Sequence, residues 1–223
     1  MLTYTDMSVI NFLIDFILHL DKHLIAIVSE YGILTYLILF LIVFAETGLV
    51  ILPFLPGDSL LFAAGALSAL GSLNIFLVLA VLGAAAIIGD TVNYWIGHFF
   101  GEALIKNPRI PINQAHIDKT NAFYAKHGGK TIILARFVPI VRTFAPFVAG
   151  VGKMHYNTFI SYNIIGGLLW VAGFTLAGFF FGNIPWVQHN FEVVVFAIVG
   201  LSVVPMIYEL VHARMQKKSA SFT

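Results

Sequence analysis

Four charged residues stand within long apolar stretches of this chain, and their types fit a site that binds an anion and exchanges protons. Glu46 and Asp58 lie in one such stretch, and Arg136 and Arg142 lie in another further along the chain. Arginine presents a planar fork that binds a phosphate or carboxylate through two parallel hydrogen bonds. A carboxylic acid withdrawn from water can take up a proton near neutral pH. The four residues therefore predict that the arginines hold an anionic headgroup while Glu46 or Asp58 exchanges protons.

The same four charges also admit a purely structural interpretation. Each charge held at membrane depth costs about 2.5–3.5 kcal/mol, so four of them must pair or face water. Two acids and two arginines balance each other, and they could form buried salt bridges with no further role. Buried ion pairs are weak sources of stability, however, so the arrangement favours a functional site.

Both charged stretches, residues 44–65 and 131–152, are interrupted by residues that break helices. The predicted breaks are at Pro53, Pro56, Gly57, Pro139 and Pro146. Broken backbone is tolerated in lipid only where protein buries it or water reaches it. Two breaks at corresponding places in two halves of a chain indicate a transport site near the bilayer midplane. We therefore expect two re-entrant helical loops that meet at their tips.

Composition predicts an all-α integral membrane protein. Hydrophobic residues make up 59% of the chain and charged residues 10%, whereas a soluble domain is about a quarter charged. At roughly 20 residues per spanning helix, a chain of 223 residues has room for a polytopic helical bundle. The chain has no cysteine, which excludes disulfides, thiolate metal sites and thiol nucleophiles.

The distribution of lysine and arginine predicts the topology. Residues 102–130 and the C-terminal tail are basic, and basic loops favour the cytoplasmic side. The helix that begins near Ile75 then runs inward, so the two broken segments enter from opposite faces and form an inverted repeat. The predicted parts are an N-terminal amphipathic or membrane helix (1–31), a single transmembrane domain (32–213) and a cytoplasmic tail (214–223). Within the domain we expect a first repeat (about 32–101), a cytoplasmic loop (102–130), a second repeat (about 131–189) and a last span (190–213).

Local patterns add detail to this organisation. Two helices end in a similar way, at Gly97 to Gly101 and at Gly178 to Gly182, which suggests a duplication. A turn is predicted near Gly71, and a surface helix is predicted over residues 113–126. Polar residues recur every three or four positions over residues 8–28, which predicts a helix that either crosses the bilayer or lies along it.

Other candidate residues give weaker signals. Asp90 and Asn93 share one helix face and could form a proton relay, although a polar contact between helices is an equal alternative. The histidines show no metal-ligand spacing, and no cofactor fingerprint or nucleophile motif is present, so we predict neither a cofactor nor an enzyme. The basic loop is interpreted as a topology signal that contacts anionic lipids rather than nucleic acid. The tryptophans are interpreted as packing or membrane-belt residues: Trp95, Trp170 and Trp186.

Several motifs together resemble the bacterial DedA family, which is related to the VTT-domain lipid scramblases. They are Phe44 to Gly48, Phe54 to Leu60, Gly129 to Thr143 and Ala149-Gly150. The resemblance spans nearly the whole chain and implies a multi-pass inner-membrane carrier that depends on the proton-motive force and acts on lipid headgroups. It also implies that Glu46 and Asp58 are the essential acids and that Arg136 and Arg142 are the essential arginines.

The resulting prediction is a transporter of phosphate-bearing lipids, either undecaprenyl phosphate or a phospholipid such as phosphatidylethanolamine, coupled to protons. One alternative is a proton-coupled antiporter of small cations or drugs, in which the acids act and the arginines only tune them. A second alternative is a non-transporting membrane scaffold or assembly factor, in which neutral replacements of the four charges would leave function intact.

Overall fold

The computed structural model describes residues 30–49, 57–106 and 114–190, together with residues 27, 28, 193, 194 and 197. Most of the predicted N-terminal helix, the breaks at Pro53 and Pro56, nearly all of the last span and the tail lie outside these residues. The described part of the chain is helical and contains no strand. Its elements are α1 (Leu34–Gly48), α2 (Gly57–Ala69), α3 (Ile75–Lys106), α4 (Gln114–His127), a 3₁₀ turn (Gly128–Lys130), α5 (Thr131–Ala135), α6 (Pro139–Val151), α7 (Tyr156–Phe181) and α8 (Pro185–His189).

Two of the described helices are long and apolar enough to cross a membrane. These segments are Ile75–Gly101 of α3 and Tyr156–Phe181 of α7, with 27 and 26 residues and mean hydropathies of 2.4 and 2.0. About 20 residues suffice to span a bilayer. The two helices run antiparallel, because the start of α7 packs on the second half of α3: the rings of Phe159 and Tyr94 stack at 4.4 Å. The prediction of an all-α protein is confirmed.

Helices α1 and α2 form a hairpin along the first half of α3. At the open end, the main-chain N–H of Asn74 donates to the Tyr36 hydroxyl at 2.8 Å. At the other end of α1, Gly48 packs on Gly89, halfway along α3, where an added Cβ would lie 3.3 Å from the Gly89 carbonyl. After α2, Gly71 takes a φ of +79°, a conformation that glycine adopts without strain. The turn predicted there is confirmed.

Helices α5 and α6 form a second hairpin along the first half of α7. The Cβ positions of Gly129 and Gly166 would meet Tyr162 and Ile133 respectively, so α5 runs alongside the start of α7. Helix α6 then returns, and its end packs against the end of the apolar part of α3, where Gly101 faces Val151. The two hairpins thus open at the starts of the two long helices.

Each hairpin's second helix packs on the long helix that belongs to the other hairpin. Helix α6 lies along the second half of α3, where the main chain of Phe147 would block a side chain at Gly97. Helix α2 lies along the second half of α7, where the main chain of Phe62 would block a side chain at Gly178. Close approach of helix backbones is what small residues permit in membrane bundles. Gly97 of α3 and Gly178 of α7 therefore make the same kind of contact, and this shared contact explains why the two helices have similar sequences there.

Two helix boundaries differ from the sequence prediction. Helix α3 continues to Lys106, beyond the predicted end, while α4 forms within one residue of the predicted surface helix. Pro146 was expected to break the second segment but lies inside α6, which continues to Val151. Proline is tolerated inside membrane helices because neighbouring helices compensate for the lost hydrogen bond; here Pro146 is buried in a helix that packs on α3. Pro139 begins α6 after the extended residue Val138, so it does mark a break, and Gly57 is the first described residue of α2.

Candidate functional site

Arg142 joins the two acids that the sequence predicts for the site. Its Nη1 donates to Asp58 Oδ1 at 2.7 Å, and its Nη2 donates to Glu46 Oε1 at 2.7 Å. Glu46 lies near the end of α1, Asp58 in the first turn of α2 and Arg142 in the first turn of α6. The guanidinium group therefore ties both helices of the first hairpin to the second hairpin. The predicted meeting of the two charged segments is present in the structure.

Local backbone geometry explains why these side chains can meet. Asp58 stands in the first turn of α2, where a negative charge is favoured by the helix dipole. Gly57 precedes it and touches the Glu46 carboxylate, so that any side chain at position 57 would overlap its oxygens. Glycine at the start of α2 is what lets the end of α1 approach this closely.

Arg136 pairs with a different acid from those predicted. Its Nη2 donates to Asp90 Oδ2 at 2.6 Å and to Asn163 Oδ1 at 2.6 Å. Asp90 lies halfway along the apolar part of α3, and Asn163 lies in α7. Sequence analysis placed Asp90 in a possible relay and did not identify Asn163. The amide in an otherwise apolar span was the available signal for Asn163.

The rest of the Arg136 guanidinium has no partner in the described part of the protein. Its Nε and Nη1 atoms are buried and make no hydrogen bond to a described residue. Glycines on α7 leave the room it occupies: a Cβ on Gly166 would lie 3.3 Å from Nε, and a Cβ on Gly167 would lie 3.3 Å from Nη2. Buried polar groups are nearly always satisfied, so three N–H donors without an acceptor are an exception that calls for an explanation.

Trp170 connects the two arginines, a role that sequence analysis missed. Its indole N–H donates to Asp58 Oδ1 at 2.8 Å, the same oxygen that Arg142 binds. The guanidinium carbons of Arg142 and Arg136 lie 5.2 and 5.8 Å from the centre of its ring, within the range of cation–π attraction. Trp170 is fully buried and lies midway along α7, whereas belt tryptophans stand near helix ends. That midway position was the signal that distinguishes it from a belt residue.

Asn93, the second residue of the possible relay, binds main-chain groups. Its Nδ2 donates to the carbonyl of Thr47 at 3.1 Å and to the carbonyl of Thr143 at 3.0 Å. These bonds hold α1 and α6 against α3. A relay role for Asp90 and Asn93 stays a prediction.

We call Glu46, Asp58, Asp90, Arg136 and Arg142 the central cluster. Glu46 and Arg136 are each 3% exposed, Asp90 is 4% exposed, and the Arg142 side chain is 12% exposed. Three carboxyl groups face two guanidinium groups, which leaves an excess of one negative charge when all five are ionised. Burying an uncompensated charge is costly, so the cluster approaches neutrality when it holds one proton. No group of three or more His, Cys, Asp and Glu side chains in the described ranges is arranged to hold a metal ion.

Comparison with known proteins places this arrangement in a family. The VTT domain model matches residues 55–180. The chain is 57% identical to Protein DedA of Escherichia coli strain K12, over 96% of this chain and all of that protein. It is 41% identical to the uncharacterized membrane protein ML0287 of Mycobacterium leprae, over 80% of this chain and 81% of that protein.

A further relative, the inner membrane protein YghB of Escherichia coli strain K12, is 32% identical over 83% of this chain and 82% of its own length. None of these names includes a catalytic activity. No solved structure matches the chain. The relatives' names and the two long apolar helices agree that this is a membrane protein. The chain belongs to the DedA family of VTT-domain membrane proteins.

Proposed function

We propose that this protein transports phosphate-bearing lipids across the bacterial inner membrane and couples their movement to protons. The observation that carries the proposal is the central cluster: five ionisable groups, four of them buried and Arg142 partly buried, lie together halfway along the membrane-length helices, where two hairpins meet. Charged residues inside a membrane protein mark substrate and proton pathways more often than structural contacts. The cargo is undecaprenyl phosphate or a phospholipid such as phosphatidylethanolamine, and the protein is not an enzyme.

The hairpins α1–α2 and α5–α6 act as re-entrant loops that enter from opposite faces of the membrane. Each hairpin opens at the start of a long helix, and α3 and α7 are antiparallel, which supports this arrangement. The reciprocal packing of α2 on α7 and of α6 on α3 supports an inverted repeat with the halves at about 32–101 and 131–189. The basic residues of the 102–130 loop and the tail favour the cytoplasmic side for both.

Arg142 is the contact that transport has to break and remake. It holds Asp58 and Glu46 from the first hairpin while it belongs to the second. When Glu46 or Asp58 takes up a proton, the attraction between Arg142 and that acid falls, which allows the hairpins to part. As the hairpins part, Arg142 can join Arg136 in offering N–H donors to the phosphate of a lipid. Proton uptake and headgroup entry are linked in this way.

The test is headgroup accessibility in proteoliposomes that contain labelled undecaprenyl phosphate or labelled phosphatidylethanolamine. Wild type is compared with Glu46→Gln and Arg142→Ala, with and without a pH gradient. The exposed acid Glu30, replaced as Glu30→Gln, is the matched control for the loss of one carboxylate. We expect translocation in wild type and in the control and its loss in both site variants.

The antiporter alternative makes a different prediction for the same vesicles. If the cargo were a small cation or drug, neither lipid would move, the pH gradient would drive uptake of the cation, and a phosphate lipid would not protect Arg136 or Arg142 from chemical modification. If the protein were a scaffold, neutral replacement of the four charges in folded protein would leave its function intact; these residues are Glu46, Asp58, Arg136 and Arg142.

A further inference from the structure

We propose that Asp90 occupies, on Arg136, the place that the lipid phosphate takes during transport, so that phosphate binding displaces Asp90 and is accompanied by its protonation. The inference rests on the proposed function and deepens it: it assigns the phosphate to Arg136 and adds a proton on Asp90 that is taken up with the phosphate. This binding step precedes the one in which Glu46 or Asp58 takes up a proton and releases Arg142, so Arg142 still joins the two hairpins when the phosphate binds.

The two arginines differ in how far their donors are used. Both terminal nitrogens of Arg142 bind carboxylates at 2.7 Å. Arg136 uses only Nη2, for Asp90 and Asn163, while its Nε and Nη1 are buried without a partner among the described residues. An anion that approaches Arg136 can therefore gain hydrogen bonds that no residue described here supplies. Arg136 is the arginine with free capacity for a phosphate.

Asp90 is the group such an anion has to compete with. Its Oδ2 lies 2.6 Å from Arg136 Nη2. The other groups that act on it come from the helices around it: Arg142 of α6 attracts its charge, and Glu46 of α1 interacts with it repulsively. The Tyr124 hydroxyl of α4 also interacts electrostatically with the Asp90 carboxylate. A second anion on Arg136 would add to this repulsion.

The charge balance of the central cluster then requires a proton. The cluster already holds one more carboxyl than guanidinium group, and a phosphate lipid brings at least one further negative charge. A site enclosed within the protein does not tolerate two uncompensated negative charges, so proton uptake must accompany phosphate binding. Asp90 is the acid that loses its arginine partner in this step, whereas Glu46 and Asp58 keep Arg142. Asp90 is therefore the acid that becomes protonated.

Asn163 keeps Arg136 in position while Asp90 leaves. Its Nδ2 is held by the Ile87 carbonyl at 3.0 Å and by the Thr91 hydroxyl at 3.4 Å, which directs its Oδ1 towards Nη2. Arg136 thus keeps one neutral partner in both states. Replacement of the Asp90 carboxylate by the lipid phosphate is therefore the only change that Arg136 needs in order to hold the phosphate.

The experiment measures protons taken up when the purified full-length protein binds lipid. Calorimetric titration in two buffers of different ionisation enthalpy gives this number, with a prenyl phosphate monoester as one probe and phosphatidylethanolamine as the other. We expect wild type to take up about one proton per bound lipid. Asp90→Asn should take up none and should bind the same probe about tenfold more tightly near neutral pH, because the competing carboxylate is gone. Glu30→Gln, which removes an exposed carboxylate, is the matched control and should retain the uptake.

Loss of the Asp90 charge leaves a buried arginine without its counter-ion, so the variant's folding is measured in parallel. Melting curves with and without the lipid should show a larger lipid-induced rise in melting temperature for Asp90→Asn than for wild type. The wild-type titration needs no substitution: binding without net proton uptake overturns the inference, and so does proton uptake that persists in Asp90→Asn. Failure of wild type to bind either lipid overturns the proposed function itself, which keeps the two failures distinct.

Discussion

Replacement of Arg142 by lysine tests the fork geometry while it keeps the charge. In the structure the two terminal nitrogens reach two carboxylates on different helices, each at 2.7 Å. An ammonium group is a single point of charge on a flexible stem, so lysine can retain one of these bonds but not both in the same geometry. One charge-assisted hydrogen bond contributes about 1.5–3 kcal/mol, and that is the loss of stability we expect.

A loss of this size is large enough to measure. For a domain of this length, 1 kcal/mol corresponds to about 2–4 °C in the melting temperature, so Arg142→Lys should melt about 3–12 °C below wild type. Arg142→Ala leaves both acids without a counter-ion and should lose about 3–5 kcal/mol. The assays are a melting curve of the purified protein and lipid translocation in vesicles. We expect Arg142→Lys to abolish translocation, because the two acids are no longer held together.

The comparison of single and double variants isolates the contact. In the Arg142→Lys background, adding Asp58→Asn should cost less than it does in wild type, since one of the two bonds is already lost. Arg109→Lys, which makes the same exchange in the hydrophilic 102–130 stretch, is the matched control and should behave as wild type. Wild-type melting and wild-type translocation in Arg142→Lys would refute the reasoning.

Three further substitutions test the packing around the central cluster. Trp170→Phe keeps an aromatic ring but removes the N–H bond to Asp58, so it should lower stability by about 1.5–3 kcal/mol and slow translocation; unchanged melting would contradict the bond. Gly57→Ala should destabilise by about 1–3 kcal/mol through overlap with the neighbouring carboxylate, seen as a lower melting temperature than wild type. Gly178→Ala should lower the stability as much, because the added methyl group would overlap the main chain of α2. Gly173→Ala on the same helix places its methyl group in open space and should raise the stability by about 1 kcal/mol. Equal melting temperatures for those two variants would show that α2 does not pack closely on α7.

The residue types of the site could be predicted from the sequence, but their pairing could not. Charge inside apolar segments is costly, so Glu46 and Arg142 stand out without any structure. Which acid meets which arginine depends on how the helices pack, because Arg136 reaches Asp90 only where α5 and α3 both lie against α7. The sequence analysis balanced the two arginines against Glu46 and Asp58, and it thereby missed that Arg142 binds both of these acids while Arg136 binds Asp90.

The helix breaks, like the charge pairs, were predicted correctly at some positions and wrongly at others. Gly71 and Pro139 mark real boundaries because a positive φ or a fixed proline φ acts locally, within one turn. Pro146 has the same local chemistry but lies where α6 packs on α3, and the surrounding helices keep the helix continuous. Whether a proline interrupts a helix thus depends on packing between segments that are distant in the sequence, and a single sequence does not reveal this packing.

The most direct test of the central claim is translocation of a labelled phosphate lipid by purified protein in vesicles under an imposed pH gradient. The account predicts movement that requires the protein, responds to the gradient and disappears in both Glu46→Gln and Arg142→Ala, while Glu30→Gln moves lipid as wild type does. Folded wild-type protein that moves neither undecaprenyl phosphate nor phosphatidylethanolamine, or site variants that move lipid at the wild-type rate, would contradict it.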